Sequence, residues 1–409
     1  MSNHIKSVKS IGWTAAATRR LSLAVVMTHP TQFDSPLFAR ISRQNDFDVT
    51  VYYLHTPNIA AKTDPELGFS PNWDIPLLTG YNWVACPSGW LDRIKFLWRE
   101  CFSSTRYDLV ILPGYAIIEL VLLTYFARNQ ALGMRLDTCE LYEGTGVRHK
   151  LKSAVLKRLF KRYTTFHPVG SLSEAFLRNQ GARAQQIFRF PYAVDNDYFC
   201  IKAAQFRIRR KSLLEEIGFP SDTFVVLGVL KFIHRETPME LLRGFQLFHL
   251  RHPGSALILV GAGELQREME QYIEEVGLIK DVRLVGYSRY SELPKWYAAA
   301  DVFVHPSSRE SWGVSVNEAM ACGLPVIIAD TVGASYDLLM EGLNGYRYKS
   351  GDAEDLAVCL ERVVLSAGHR GRVCEASQAA AAQFSYDASI ASLEAALQSV
   401  RSSSSVDRP

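Results

Sequence analysis

The stretch Asp301-Val-Phe-Val-His305-Pro-Ser-Ser-Arg-Glu310-Ser-Trp312-Gly313-Val314-Ser-Val-Asn-Glu318-Ala-Met-Ala-Cys-Gly323-Leu-Pro325-Val reads as one unit. An apolar run is followed by a polar loop, a helical pattern and a glycine, and Pro325-Val then opens a second apolar run. Strand, helix and next strand in so few residues form the repeat of a parallel α/β sheet, whose ligands sit beyond the carboxyl ends of the strands. The helix is expected to begin near Ser311 and to end before Gly323, since glycine suits the left-handed residue that closes helices. Its first turn then offers unbonded N–H groups at Trp312, Gly313 and Val314, and Gly313 lets an anion approach the backbone closely. Glu318 follows Val314 by one turn on the same face, about 6 Å along the axis, while Glu310 precedes the helix. Either glutamate alone is ordinary, because acids are common ahead of helices and a helical glutamate is commonly exposed. Together, behind an apolar strand, they fit an extended nucleotide sugar. Its ribose would lie on Glu318, its diphosphate on the helix start and its sugar beside Glu310.

The same alternation runs outward from this unit. Strand-like runs stand at Leu21–Met27, Val49–Leu54 and Leu109–Leu112, and again at Phe224–Leu230, Ala256–Val260, Val282–Val285, Val302–His305 and Pro325–Ala329. Helical patterns such as Trp90–Phe102 and Ile117–Arg128 separate them. Two such series in a chain of 409 residues predict an α/β protein of two Rossmann-like, doubly wound domains. The junction is expected in the stretch Pro191–Pro220. The first 19 residues and the serine-rich end read as unstructured.

Composition narrows the functional classes. Apolar residues make up 48% of the chain and charged residues 21%, as in a globular protein, and the net charge of +3 gives no argument for nucleic-acid binding. Seven scattered cysteines without a C-x-x-C pattern favour a reducing compartment over a disulfide framework or a zinc site. Arg19-Arg20 ahead of Leu21–Met27 resembles a secretion signal, but the apolar run is short and leads into His29-Pro30, so a first buried strand is expected. A cytoplasmic protein, or one held at the inner face of a membrane, follows from this reading.

Cations stand where a diphosphate needs them. After Phe224–Leu230 comes Lys231-Phe-Ile-His-Arg235-Glu236, and Thr237-Pro-Met-Glu240 reads as a capping box with proline at the first helical position. Lys231 and Arg235 in this loop would neutralise charge developing on a leaving diphosphate. Glu236 would repel one, and is expected to turn toward solvent. Asp195-Asn-Asp197 has the form of a metal-binding D-x-D, yet three residues are a cheap match, and no metal is expected. Gly261-Ala-Gly263 begins like a dinucleotide fingerprint but carries Gln266 at the third glycine position. The segment 148–162 is basic and amphipathic, which suits either a core-facing helix with a solvated face or a membrane-surface helix.

The E-x7-E string from Glu310 to Glu318 resembles the signature of the family 4 (group 1) retaining glycosyltransferases, which have the GT-B fold. The likeness extends to Gly261-Ala-Gly263-Glu264, to Gly286-Tyr287-Ser-Arg-Tyr-Ser-Glu-Leu-Pro294 and to Gly333-Ala-Ser-Tyr-Asp337. Trp73-Asp-Ile-Pro-Leu-Leu-Thr-Gly-Tyr81, Asp137-Thr and Pro191-Tyr-Ala-Val-Asp195-Asn resemble one subgroup. This resemblance implies an acceptor-side domain at 20–195, a nucleotide-sugar domain at 196–383, a helix at 384–400 returning to the first domain, and a loose tail at 401–409. It implies transfer with retention, without metal or other cofactor, from a nucleoside-diphosphate sugar to a glycan, lipid-linked or small-molecule acceptor. Glu310 would contact the transferred sugar and Glu318 the ribose. Gly286 and Tyr287 would line the donor site, with Asp137, His29 and less readily Glu140 on the acceptor side. Members acting on lipid-linked acceptors carry basic helices like 148–162, which implies peripheral membrane contact. The sequence departs from the family in two places: Glu236 stands where lysine is usual, and Thr28-His29-Pro30 where Gly-Gly is usual. Glu236 leaves room for a non-catalytic binding subunit, and a GT-B sugar-nucleotide epimerase is a further alternative.

Overall fold

The computed structural model describes residues 20–44, 46–55, 66–69, 74–103, 106–127, 129–139, 141 and 146–406. The leader 1–19, Trp73, Arg128, Glu140 and the last three residues lie outside them. Two six-stranded sheets organise the chain. The first contains β1 (Leu21–Met27), β2 (Phe47–Tyr53), β3 (Asn82–Ala85), β4 (Leu109–Pro113), β5 (Leu132–Leu136) and β6 (Thr165–Pro168). The second contains β7 (Phe224–Val229), β8 (Ser255–Val260), β9 (Val282–Gly286), β10 (Val302–His305), β11 (Val326–Ala329) and β12 (Gly345–Tyr348).

Both sheets are parallel, with orders β3-β2-β1-β4-β5-β6 and β12-β11-β10-β7-β8-β9. Counted from each domain's own first strand, both follow the doubly wound order 3-2-1-4-5-6. Strand order therefore reverses between β1 and β4 in one sheet and between β7 and β10 in the other, and a crevice opens at each reversal. The central strands are apolar throughout because helices cover both faces; Leu23 to Val26 and Val302 to Val304 are fully buried.

On one face of the first sheet lie α2 (Trp90–Leu97), α3 (Ile118–Phe126), α4 (Val147–Phe160) and α5 (Ser171–Asn179), sharing a core with Val26, Val110 and Met134. On the other lie α1 (Asp34–Ser42) and the final helix, which packs Tyr386, Ile390, Leu393, Leu397 and Val400 against Leu23, Val25, Phe38 and Tyr53. Spacings of four and three place those residues in one stripe. Between them run α6 (Asn196–Arg207), α7 (Arg210–Ile217), α8 (Pro238–His249), α9 (Gln266–Glu275), α10 (Leu293–Ala299), α11 (Val314–Ala321), α12 (Ala353–Leu365) and α13 (Arg370–Ala382) around the second sheet, ahead of the final helix α14 (Tyr386–Val406). The two crossings between domains lie side by side, Val194 forming a parallel bridge with Ser385.

Several local expectations need correction. The strands β3, β6 and β12 have four residues each and lack a long apolar run, so no periodicity marked them. The Trp90–Phe102 helix widens after Leu97 into a π-helical turn, Trp98–Phe102. Thr237–Glu240 is not a capping box, although Pro238 does open the helix: Thr237 is left-handed (φ 44°), makes no side-chain cap, and Glu240 instead accepts from the Gly351 N–H at 2.9 Å. The helix α14 continues to Val406 through much of the expected loose tail, anchored by Arg401, which donates to Asp108 at 2.7 Å and to the Arg20 carbonyl.

Candidate active site at the interdomain cleft

A cavity of about 870 Å³ lies between the carboxyl ends of the two sheets. The first domain lines it with the turns after β1 (Thr28, His29), β4 (Gly114, Tyr115) and β5 (Asp137), and the second with Lys231, Glu236, Gly261, Ala262 and Tyr287. His29 is exposed, its Nδ1 3.0 Å from Thr28 Oγ1, and Asp137 accepts from the Tyr192 hydroxyl at 3.0 Å. Both are thus at the cavity wall, on the first domain's side.

The crevice between β7 and β10 holds the charged residues. The loop after β7 carries Lys231 and a 3-10 turn, His234–Glu236. The loop after β10 is tied to it: Ser308 N–H and Oγ both donate to the Arg235 carbonyl at 2.9 Å, and Ser307 Oγ donates at 3.1 Å. The following segment pairs with the end of β11, Glu310 bridging Val332, with Gly333 N–H on the Glu310 carbonyl at 2.9 Å. These bonds fix both loops without using the charged side chains. Arg235 reaches Glu310 at 2.8 Å and Glu236 at 3.1 Å, while Lys231 Nζ lies 2.6 Å from Glu66. Arg235 is also 3.6 Å from Glu66. Burial works against the Arg235 charge, but Glu310, Glu236 and Glu66 outweigh it and raise its pKa.

Glu236 does not face solvent. It is buried at the cavity wall, accepting from the Lys231 backbone N–H at 2.6 Å as well as from Arg235. Burial pushes its carboxyl up to about 7, despite that N–H and the Arg235 charge. The Lys231 amide lies just beyond β7 and donates to Glu236, a bond that accounts for the inward turn of that carboxylate.

The helix α11 starts at Val314 rather than Ser311, because Gly313 takes a left-handed conformation (φ 100°) that no helical residue adopts. The Trp312 side chain is buried. Its ring is buried against Phe384 (centroids 5.0 Å apart) and under Gly170 of the first domain, and its Nε1 donates to Asn317 at 2.8 Å. The side chain fastens the domains together; only its backbone remains near the helix start. Glu318 is not an exposed helical residue but a buried one, accepting from the Tyr297 hydroxyl at 2.7 Å. Burial raises its carboxyl to about 7, against the Tyr297 bond.

The glycine pair Gly261 and Gly263 serves the backbone: a Cβ on either would collide with the carbonyls of Leu230 or Phe232, where the β7 and β8 loops cross. Gly286 is left-handed (φ 83°) and turns Tyr287 into the cavity, edge-on to Phe69 at 5.5 Å. Asp195 caps α6 through the Tyr198 N–H at 3.0 Å, which accounts for the first acid of D-x-D. The residue that sequence reasoning missed is Glu66, in a loop of the first domain with no motif around it.

A cleft between two doubly wound domains, with charged side chains at a strand-order reversal, defines the GT-B class of two-domain proteins. Residues 209–379, most of the second domain, match the family Glycosyl transferases group 1. The chain is 29% identical over 224 residues to a D-inositol 3-phosphate glycosyltransferase of Xylanimonas cellulosilytica, covering 54% of this chain and 53% of that protein. It is 31% identical over 160 residues to a lipopolysaccharide core biosynthesis glycosyltransferase of Rhizobium meliloti, covering 39% and 45%. The chain thus spans about half the length of the curated relatives it matches. Among solved structures, Anabaena HepE in complex with UDP superposes with a TM-score of 0.69 at 18% identity, covering 95% of this chain and all of that one. A glycosyltransferase of Rickettsia africae gives 0.71 at 14% identity, covering 93% and 98%. At these identities the two structures establish the shared fold.

Proposed function

We propose that the chain is a retaining, metal-independent glycosyltransferase that moves a sugar from a nucleoside-diphosphate sugar to an acceptor in the interdomain cleft. The observation that carries this reading is the convergence of Lys231, Arg235 and Glu310 at the β7/β10 reversal, beside a cavity walled by both domains. Lys231, Arg235 and the backbone N–H groups at Gly313 and Val314 hold the diphosphate, Glu310 orients the transferred sugar, and Glu318 accepts from the ribose. The bond from the anomeric carbon to the diphosphate oxygen breaks with its electron pair on the leaving group; the acceptor's hydroxyl oxygen bonds to that carbon on the same face, in a transition state of oxocarbenium character, and its proton passes to the leaving diphosphate oxygen. Two cations fixed in place before reaction stabilise the leaving charge without reorganisation. The acceptor approaches from His29 and Asp137.

Three adjoining helices support an acceptor at a membrane surface, such as a lipid-linked glycan. Trp90, Leu91 and Trp98, then Ile118, Leu122 and Phe126, then Val147, Leu151 and Val155 are all exposed on one side of the first domain, Ile118 at 72%, Val147 at 84% and Leu151 at 67%. So much exposed apolar surface on a single face marks an interaction site. The helix α4 adds Arg148, Lys150, Lys152, Lys157 and Arg158 with no acid, a complement to an anionic bilayer. Among the described residues no helix is long and apolar enough to cross a membrane.

The direct test incubates the protein with UDP-, GDP- and ADP-sugars in EDTA, following melting temperature and release of nucleoside diphosphate. One donor should stabilise the fold and be slowly hydrolysed. No stabilisation by any donor refutes the reading. Glu236, a buried carboxylate at the diphosphate site, supports a second reading as a non-catalytic binding subunit; binding without hydrolysis or transfer would favour it. Co-sedimentation with anionic vesicles, lost when Leu151 and Val155 become Asp, tests the membrane face.

A further inference from the structure

The cation pair of the second domain is engaged by the first. Glu66 lies 2.6 Å from Lys231 and 3.6 Å from Arg235, across 165 positions of sequence. Three residues on, Phe69 packs edge-on to Tyr287. We infer that Glu66 is a placeholder for the donor diphosphate, holding Lys231 and Arg235 until a donor displaces it, so that donor binding is coupled to release of this contact between the domains. The inference rests on the proposed role of Lys231 and Arg235 as the diphosphate site.

Charge counting identifies Glu66 as the group that leaves. Two cations, Lys231 and Arg235, meet three carboxylates, Glu66, Glu236 and Glu310. A diphosphate adds about two further negative charges, and like charges within a few ångströms of one another cannot all stay. Glu236 is buried and bonded to the Lys231 amide, and Glu310 is bridged to Val332 through its backbone. Glu66 alone among the three comes from the opposite domain, with a side chain 42% exposed and water available to it when it lets go. A carboxylate presents two acceptor oxygens to these cations as a phosphate does, so the site stays neutralised and preformed while empty.

The test is calorimetric titration of the full chain and of Glu66→Gln with UDP, GDP, ADP and inorganic pyrophosphate, with melting temperatures of both proteins. Removing the competing charge should tighten binding of the preferred diphosphate about three- to tenfold, the range expected for partly exposed ion pairs with two partners. The gain should shrink as salt is added. In steady-state assays it should appear as a lower donor KM. If the parent binds a diphosphate and Glu66→Gln binds it equally or less well, Glu66 is not a placeholder. A drop in melting temperature with unchanged affinity overturns the inference in favour of a static bridge. If neither protein binds any of the four ligands, the diphosphate assignment of Lys231 and Arg235 falls, and the placeholder with it.

Discussion

Replacing Arg235 with alanine separates catalysis from folding at this site. The guanidinium holds Glu310 at 2.8 Å and Glu236 at 3.1 Å, so its loss removes a cation facing the leaving diphosphate and frees two carboxylates in the same crevice. Loss of one preorganised stabiliser of developing charge costs ~10²–10³ in turnover, or ~3–4 kcal/mol of barrier. The stability cost is smaller, because the Arg235 side chain is 37% exposed and screened pairs contribute ~0.2–1 kcal/mol each. Glu236 limits that cost by taking up a proton: already near 7 through burial, its carboxyl rises further once the Arg235 charge is gone. Release of nucleoside diphosphate from the preferred donor should therefore fall at least about a hundredfold. The melting temperature should move by only a few degrees. Arg235→Lys should be intermediate, keeping the charge but losing the planar fork that spans both glutamates. Turnover of Arg235→Ala within about threefold of the parent would refute the role given to Arg235.

Glu318→Ala should weaken donor binding by ~1.5–3 kcal/mol in calorimetry as the ribose loses a charged acceptor, and unchanged affinity would exclude that contact. Transfer should persist in EDTA; a requirement for Mn²⁺ or Mg²⁺ would overturn the metal-free mechanism. The gain in donor affinity of Glu236→Gln over the parent should shrink as pH falls through about 7, because Glu236 takes a proton and stops repelling the diphosphate, while Glu318, also raised to about 7, titrates alike in both proteins. The raised Glu236 carboxyl gives a stability signature: between the ordinary value of 4.5 and about 7 the folded chain holds a proton that the unfolded chain lacks, so stability falls as pH rises through that window. Glu236→Gln should remove about 3 kcal/mol of this dependence, read from denaturant unfolding of the second domain's signal. Gly261→Ala, forcing a Cβ onto the Leu230 carbonyl at φ 155°, should destabilise by ~2 kcal/mol or more in the same unfolding assay, and a neutral result would show that the two loops can separate.

The alternation of apolar runs and helical patterns made both doubly wound domains legible from sequence, because strands covered on both faces must be apolar along their whole length. The unit from Asp301 to Val326 was legible for the same reason: strand, loop, helix and glycine stop are neighbours in sequence, and their signals are local. Long-range contacts carry no such periodicity, and they decided the rest. Trp312 was read only for its backbone N–H, and nothing local to it shows that its ring packs against Phe384 and Gly170 from distant segments. Glu236 was expected at the surface because a carboxylate beside a diphosphate site is costly; it turns inward instead to accept from the Lys231 backbone N–H. Gly261 and Gly263 begin a glycine fingerprint that Gln266 breaks, and only the structure shows that the crossing of two loops leaves no room for a Cβ there. Glu66 had no signal, since its chemistry exists only where the first domain's loop meets Lys231 and Arg235 across the cleft. Local pattern determined the long central strands, most helices and which strand ends carry charge; the short edge strands and the pairing of those charges depended on tertiary context, the latter on how two separately wound domains face each other, a relation that no stretch of sequence encodes by itself.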